Sequence, residues 1–154
     1  MKIEIDDVAK RMGLGYVPRL SVVDRTSTGS EAEFIFFTDS TSRRGWINVM
    51  NPERWALGWL RLREEAEAAE RTPRPLSDLD MIRWTVAHEL GHAVQLATQR
   101  DYRKSSAREY QAMEVGRIAH DDLPMEQEAD AFANAGNVWK HVKINGRKAR
   151  GTKR

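Results

Sequence analysis

The sequence predicts an α+β domain in which a small, mostly antiparallel sheet of three strands packs against a long helix and further helices. Three observations carry this expectation. Short runs of β-branched and aromatic residues, separated by turn-forming residues, occupy positions 20–50. From Pro52 onward apolar residues recur at spacings of three and four, the helical period. One such stripe, Ile82, Val86, Leu90, Ala93 and Ala97, runs through a segment that reads His88-Glu89-Leu90-Gly91-His92.

In chain order, Ile3 to Met12 reads as a short helix with Ile5, Val8 and Met12 on one side, broken by Gly13, Gly15 and Pro18. Leu20, Val22 and Val23 read as a strand, and Arg25 to Ser30 as a turn. Phe34 to Phe37 is a second strand, and Asp39 to Gly45 a second turn. Trp46 to Met50 is a third strand, closed by Asn51-Pro52. Short turns between successive strands favour antiparallel neighbours. Pro52 then opens a helix with Trp55, Trp59, Leu62 and Ala66 on one face, extended as a solvated arm to Arg71 and ended by Thr72-Pro73-Arg74-Pro75.

The next helix is expected over residues 78–98. Ser77 and Asp80 have capping-box spacing, and Leu76 and Met81 are placed as a hydrophobic staple. Arg100 to Ser106 reads as a loop and Ala107 to Ala119 as a helix. His120 to Pro124 punctuates, with Pro124 suited to a first helical turn. A last helix, Met125 to Trp139, would turn Ala129, Phe132, Gly136 and Trp139 inward.

At 154 residues the chain suits one domain with a real core. We expect that domain over 1–142 and a basic, disordered tail over 143–154. Lys140 to Arg154 contains seven Lys or Arg and no acid; the remaining 18 basic and 23 acidic residues leave the body at −5. The tail has the charge for phosphate contacts, so nucleic acid is a secondary expected partner. There is no cysteine, which excludes disulfides and thiolate metal ligands. The N-terminus lacks an apolar signal core and no run reaches membrane-spanning length, so the expectation is a cytoplasmic protein without membrane contact.

Chemistry concentrates at residues 88–92. Residues four apart on a helix lie one above the other, so His88 and His92 present two imidazoles to one metal ion. Glu89 stands one step round, within reach of a water on that metal. Zinc suits imidazole ligands and an open fourth position. Two histidines need a third protein ligand, and the candidates are another histidine, Glu114, Glu126 and Glu128. The longer histidine signature is excluded, because Gln95 and Thr98 occupy the positions of its glycine and third histidine. Glu126 is favoured by Asp130 one turn later, an acid placed to accept the free N–H of a metal-bound histidine.

The run Ile82-Arg83-Trp84-Thr85-Val86-Ala87-His88-Glu89-Leu90-Gly91-His92, followed by Glu126-Gln127-Glu128-Ala129-Asp130-Ala131-Phe132-Ala133, resembles the ImmA/IrrE family of zinc metallopeptidases. The strand Gly45-Trp46-Ile47-Asn48-Val49 is similar to the one before that family's active-site helix. The segment Pro52 to Ser77, with its own helix, is longer than the family's usual link, and Asn134 to Val138 departs from the family's pattern. The resemblance implies a zincin-like, minimal gluzincin fold with zinc on His88, His92 and Glu126. It also implies Glu89 as catalytic base, Asp130 behind a ligand, and a transcription regulator as substrate.

An extended peptide is expected to add as a strand at Trp46, Ile47, Asn48 and Val49. Tyr102, Tyr110, His120 and His141 are candidates to stabilise the oxyanion, and no spacing selects among them. The rival expectation is a non-catalytic zinc-binding relative acting as a protein- or nucleic-acid-interaction module.

Overall fold

The computed structural model describes residues 1–37 and 41–145. Its elements are β1 (Lys2–Glu4), α1 (Asp6–Arg11), β2 (Arg19–Val23), β3 (Ala32–Ile35), β4 (Trp46–Met50), α2 (Ala56–Ala68), α3 (Asp78–Thr98), α4 (Tyr102–Glu114), α5 (Pro124–Asn134) and β5 (Lys143–Asn145). Two stretches of 3-10 helix, His120–Asp122 and Ala135–His141, flank α5. The architecture is α+β. No helix among the described residues is long and apolar enough to cross a membrane.

The main sheet has the order β2-β4-β3. It is mixed rather than mostly antiparallel: β4 runs parallel to β2, with Leu20 opposite Ile47, and antiparallel to β3, with Phe34 opposite Ile47. Two local features account for this. The residues between β2 and β3 do not form a tight hairpin, because the Glu33 carboxylate accepts hydrogen bonds from the Ser27 and Thr28 amides and from Asn48 Nδ2. Gly45 then lets the chain enter β4 hard against β3, where a Cβ would collide with the Ile35 carbonyl and the Phe34 ring. β4 therefore inserts between its predecessors, and Ile47 and Val49 become fully buried.

A second sheet pairs β1 with β5 antiparallel, Ile3 opposite Ile144. This corrects two expectations. Ile3 and Glu4 lie on a strand, not in the first helix, and Lys143–Asn145 is a strand, not the start of a disordered tail. The rest of that tail, 146–154, and positions 39–40 of the expected turn lie outside the described residues.

The central helix starts and ends as expected. Ser77 Oγ accepts from the Asp80 amide at 3.2 Å, and Leu76 and Met81 are both buried. Every residue from Met81 to Leu96 except Arg83 is buried. A helix enclosed on all sides must sit at the middle of the fold. Here α3 meets β3 and β4, α2, α4 and α5.

Helix ends elsewhere are set by backbone chemistry. The helix expected from Ala107 begins earlier, at Tyr102, whose buried ring packs 5.7 Å from Phe36. It also stops earlier. Gly116 takes φ +75, and the amides of Gly116 and Arg117 bond back to the carbonyls of Met113 and Ala112. α5 opens with Pro124, as expected, and stops at Asn134; Gly136 and Asn137 then adopt positive φ and turn Trp139 into the core.

At the end of α2 the same left-handed motif is made by Glu70, with φ 56. Its amide bonds to Glu67 O, and the Arg71 amide bonds to Ala66 O. A side chain in this region costs energy that glycine avoids. Glu70→Gly should therefore raise stability by about 0.5–1 kcal/mol, read as a higher denaturant midpoint at unchanged slope. A lower midpoint would contradict the strain at this residue.

Candidate metal centre

His88 and His92 lie one turn apart on α3, at its contact with α5. That contact is close because position 91 is glycine. A Cβ there would stand 3.0 Å from Ala129 Cα, 3.1 Å from its carbonyl oxygen and 3.2 Å from its Cβ. Ala129 is midway along α5, so the two acids flanking it are carried to the histidines. Glu126 Oε1 lies 2.9 Å from His88 Nε2 and 3.2 Å from His92 Nε2. Asp130 Oδ1 lies 2.7 Å from His88 Nδ1. The Glu-to-Asp spacing expected to serve one metal and one ligand ring does bring both acids to the same imidazole. The other glutamates do not converge: Glu128 accepts from Gln95 and Gln99, and Glu114 is exposed.

Two further residues belong to this arrangement and were not predicted. Gln95 Oε1 sits 2.8 Å from His92 Nδ1, while its Nε2 donates to the Met125 carbonyl and to Glu128. These donations fix which way the amide points. Its signal was available in the sequence, as a polar residue one turn from His92. Arg71 had no such signal. It follows the Glu70 turn and grips Asp130 with Nε and Nη2 at 3.0 and 3.1 Å. It lies 5.3 Å over the Trp84 ring, and its Nη1 is 3.5 Å from Asp121. Asn134 completes the support, accepting from the Trp84 indole and donating to the Arg71 carbonyl.

Burial is nearly complete: His88, Glu89, His92 and Glu126 are 4%, 9%, 6% and 2% exposed. Burial disfavours a charged His88, but the hydrogen bonds it donates to the Asp130 and Glu126 carboxylates and the nearby Glu89 charge raise it to about 10. Burial likewise pushes Glu126 up, yet the two imidazoles hold it well below the usual carboxylate range. Asp130 is also lowered, its burial outweighed by His88 and Arg71. Glu89 is raised, chiefly by burial.

This chemistry fits a divalent cation. With neutral imidazoles, the carboxylates of Glu89, Glu126 and Asp130 against Arg71 leave two uncompensated negative charges. Ligand atoms of His88, Glu89 and His92 lie within 4.8 Å of one another. Tetrahedral zinc with ligands at 2.0–2.1 Å separates them by about 3.3 Å, close to the 2.9 and 3.2 Å found between Glu126 and the two Nε2 atoms. His88, His92 and Glu126 are the residues that would hold it. Asp130 and Gln95 each engage the Nδ1 of one of these two rings, the kind of support a metal-bound histidine has.

The oxyanion candidates divide. Tyr110 Oη donates to Glu126 Oε2 at 3.2 Å, and His120 Nε2 is 3.7 Å from Glu126 Oε1. Tyr102 is buried beside Phe36, and His141 lies against Asp7. The expected peptide-binding edge needs correction. Trp46, Ile47, Asn48 and Val49 are on β4, the central strand, whose backbone is paired on both sides. Asn48 is engaged by Glu33, and Ile47 and Val49 are core residues. The edge strand that packs on α3 is β3.

Comparison with models of protein families, with curated proteins and with solved structures finds no match to this chain.

Two substitutions test the construction of the site. In Gly91→Ala, overpacking against the α5 backbone costs about 1–3 kcal/mol, more than the ~1 kcal/mol gained in helix propensity. The melting temperature should fall, and a rise would mean the helices are not in tight contact. Were zinc held by His88, His92 and Glu126, Asp130→Asn would weaken its binding about 10–100-fold, read in competition with a chromophoric chelator. Unchanged affinity would remove Asp130 from the metal's support.

Proposed function

We propose that this chain is a zinc-dependent endopeptidase of minimal gluzincin type, with a zincin-like fold. On this reading it hydrolyses a peptide bond in a protein substrate, and the resemblance to the ImmA/IrrE metallopeptidases makes a transcription regulator the substrate class to test first. One observation carries the reading: a carboxylate from a distant helix, Glu126, lies against Nε2 of both His88 and His92.

Zinc held by His88, His92 and Glu126 would supply Lewis acidity toward the scissile carbonyl. The rest is done by side chains. Glu89 takes a proton from the attacking water and delivers it to the leaving amine. Its burial, which raises its proton affinity, suits it to that exchange. Asp130 and Gln95 hold the two rings by their Nδ1 atoms, and Arg71 holds Asp130. An extended substrate would pair with β3, Ala32 to Ile35, because β4 has no free edge. Tyr110, beside Glu126, is the better placed of the two tyrosines to donate to a developing oxyanion. A cytoplasmic setting goes with this reading, as does nucleic acid as a second partner through the basic C-terminal residues.

The near-complete burial of the four side chains favours a second reading, a non-catalytic zinc-binding relative acting as a protein- or nucleic-acid-interaction module. There the metal would staple α5 to α3.

Metal analysis and a peptide-library digest separate the two. We expect one zinc per chain in the wild type and in Glu89→Gln, and its loss in His88→Ala and Glu126→Ala. Cleavage of the library by Glu89→Gln should fall about 100- to 10,000-fold. Equal cleavage by wild type and Glu89→Gln would remove the enzymatic reading, and a wild type without stoichiometric zinc would remove both.

A further inference from the structure

Three histidines turn the same face to one carboxylate. His88 Nε2 and His92 Nε2 lie 2.9 and 3.2 Å from Glu126 Oε1, and His120 Nε2 lies 3.7 Å from that same oxygen. On each ring the other nitrogen is taken by an oxygen acceptor: Asp130 at 2.7 Å, Gln95 at 2.8 Å and Asp121 at 3.0 Å. A neutral ring that donates Nδ1–H to such an acceptor keeps its Nε2 lone pair for a metal. His120 thus repeats the arrangement of the two helical histidines, although it comes from a different part of the chain.

Its position is supported from two sides. The Tyr110 ring stacks on His120 with centroids 6.5 Å apart, and the Tyr110 hydroxyl donates to Glu126. Asp121, behind His120, meets Arg71 Nη1 at 3.5 Å, and the same guanidinium grips Asp130 behind His88. One arginine therefore holds the carboxylates that back two of the three rings.

His120 differs in how firmly it is seated. His88, His92 and Glu126 are buried on long helices. His120 is 51% exposed and sits on a three-residue 3-10 turn between α4 and α5. We infer that His120 is a third imidazole of the metal centre, a displaceable protein ligand that closes the position left by His88, His92 and Glu126 until a substrate draws it away. Four protein ligands make a closed site of the structural kind, and three leave one position open for chemistry. A removable His120 reconciles a buried centre with catalysis. The inference rests on the zinc reading above and adds to it the count of imidazoles.

X-ray absorption fine structure on the zinc-loaded full chain counts them without reference to activity. We expect three imidazoles in the wild type and two in His120→Ala, with zinc stoichiometry retained in both. His120 is half exposed and outside the core, so the metal-free variant should melt with the metal-free wild type. His120→Gln gives a second variant that keeps the turn polar and should also read two. A wild-type count of two with zinc bound overturns the role of His120 and leaves the zinc reading intact. Failure of the wild type to bind zinc overturns both.

Discussion

Everything at the centre of this protein depends on how closely α5 can approach α3. Glycine at position 91 removes the side chain that would stand between the helices, and Ala129 opposite it is small. Glu126 and Asp130 lie within a turn on either side of that contact. Their short reach suffices only because the backbones are so near. A wider helix–helix distance would leave the imidazoles facing a void and the acids facing solvent.

Close approach brings an electrostatic cost. Glu89, Glu126 and Asp130 are carried into a region from which water is largely excluded, and buried charge is tolerated only when paired. Arg71 supplies one counter-charge and is itself held by Trp84 and Asn134. The imidazoles supply the rest, by holding protons or a divalent cation between themselves and Glu126. The polar network in the middle of the longest helix is thus a charge-balanced unit, and the helix is enclosed all round because every side of it has something to bind.

The peripheral elements follow from this core. β4 carries the most buried residues of the sheet and lies between β2 and β3, which leaves β3 as the edge against α3. The segment between β4 and α3 adds α2, and its left-handed turn at Glu70 delivers Arg71 to the network. The link between α4 and α5 delivers His120 and Asp121 from the other side. Connections that look like insertions or punctuation in one dimension supply the outer supports of the centre in three.

What the sequence determined by itself was local. The bounds of the helix over 78–98, its Ser77 cap, the strand Trp46–Met50 and the Pro124 start of α5 all come from short-range chemistry: periodicity, capping, and the fixed φ of proline. The convergence of Glu126 and Asp130 on His88 was legible too, because two acids one turn apart share a helix face and that face has a chemical use. Only the tertiary structure decided the rest. The mixed order β2-β4-β3 depends on long-range pairing, the early start of α4 on Tyr102 finding Phe36, and the β1–β5 pair on two strands from opposite ends of the described chain. Arg71 and His120 reach the centre by the packing of separate segments. Strand partners and buried counter-ions are chosen by which surfaces meet, and that choice leaves no period in the residues themselves.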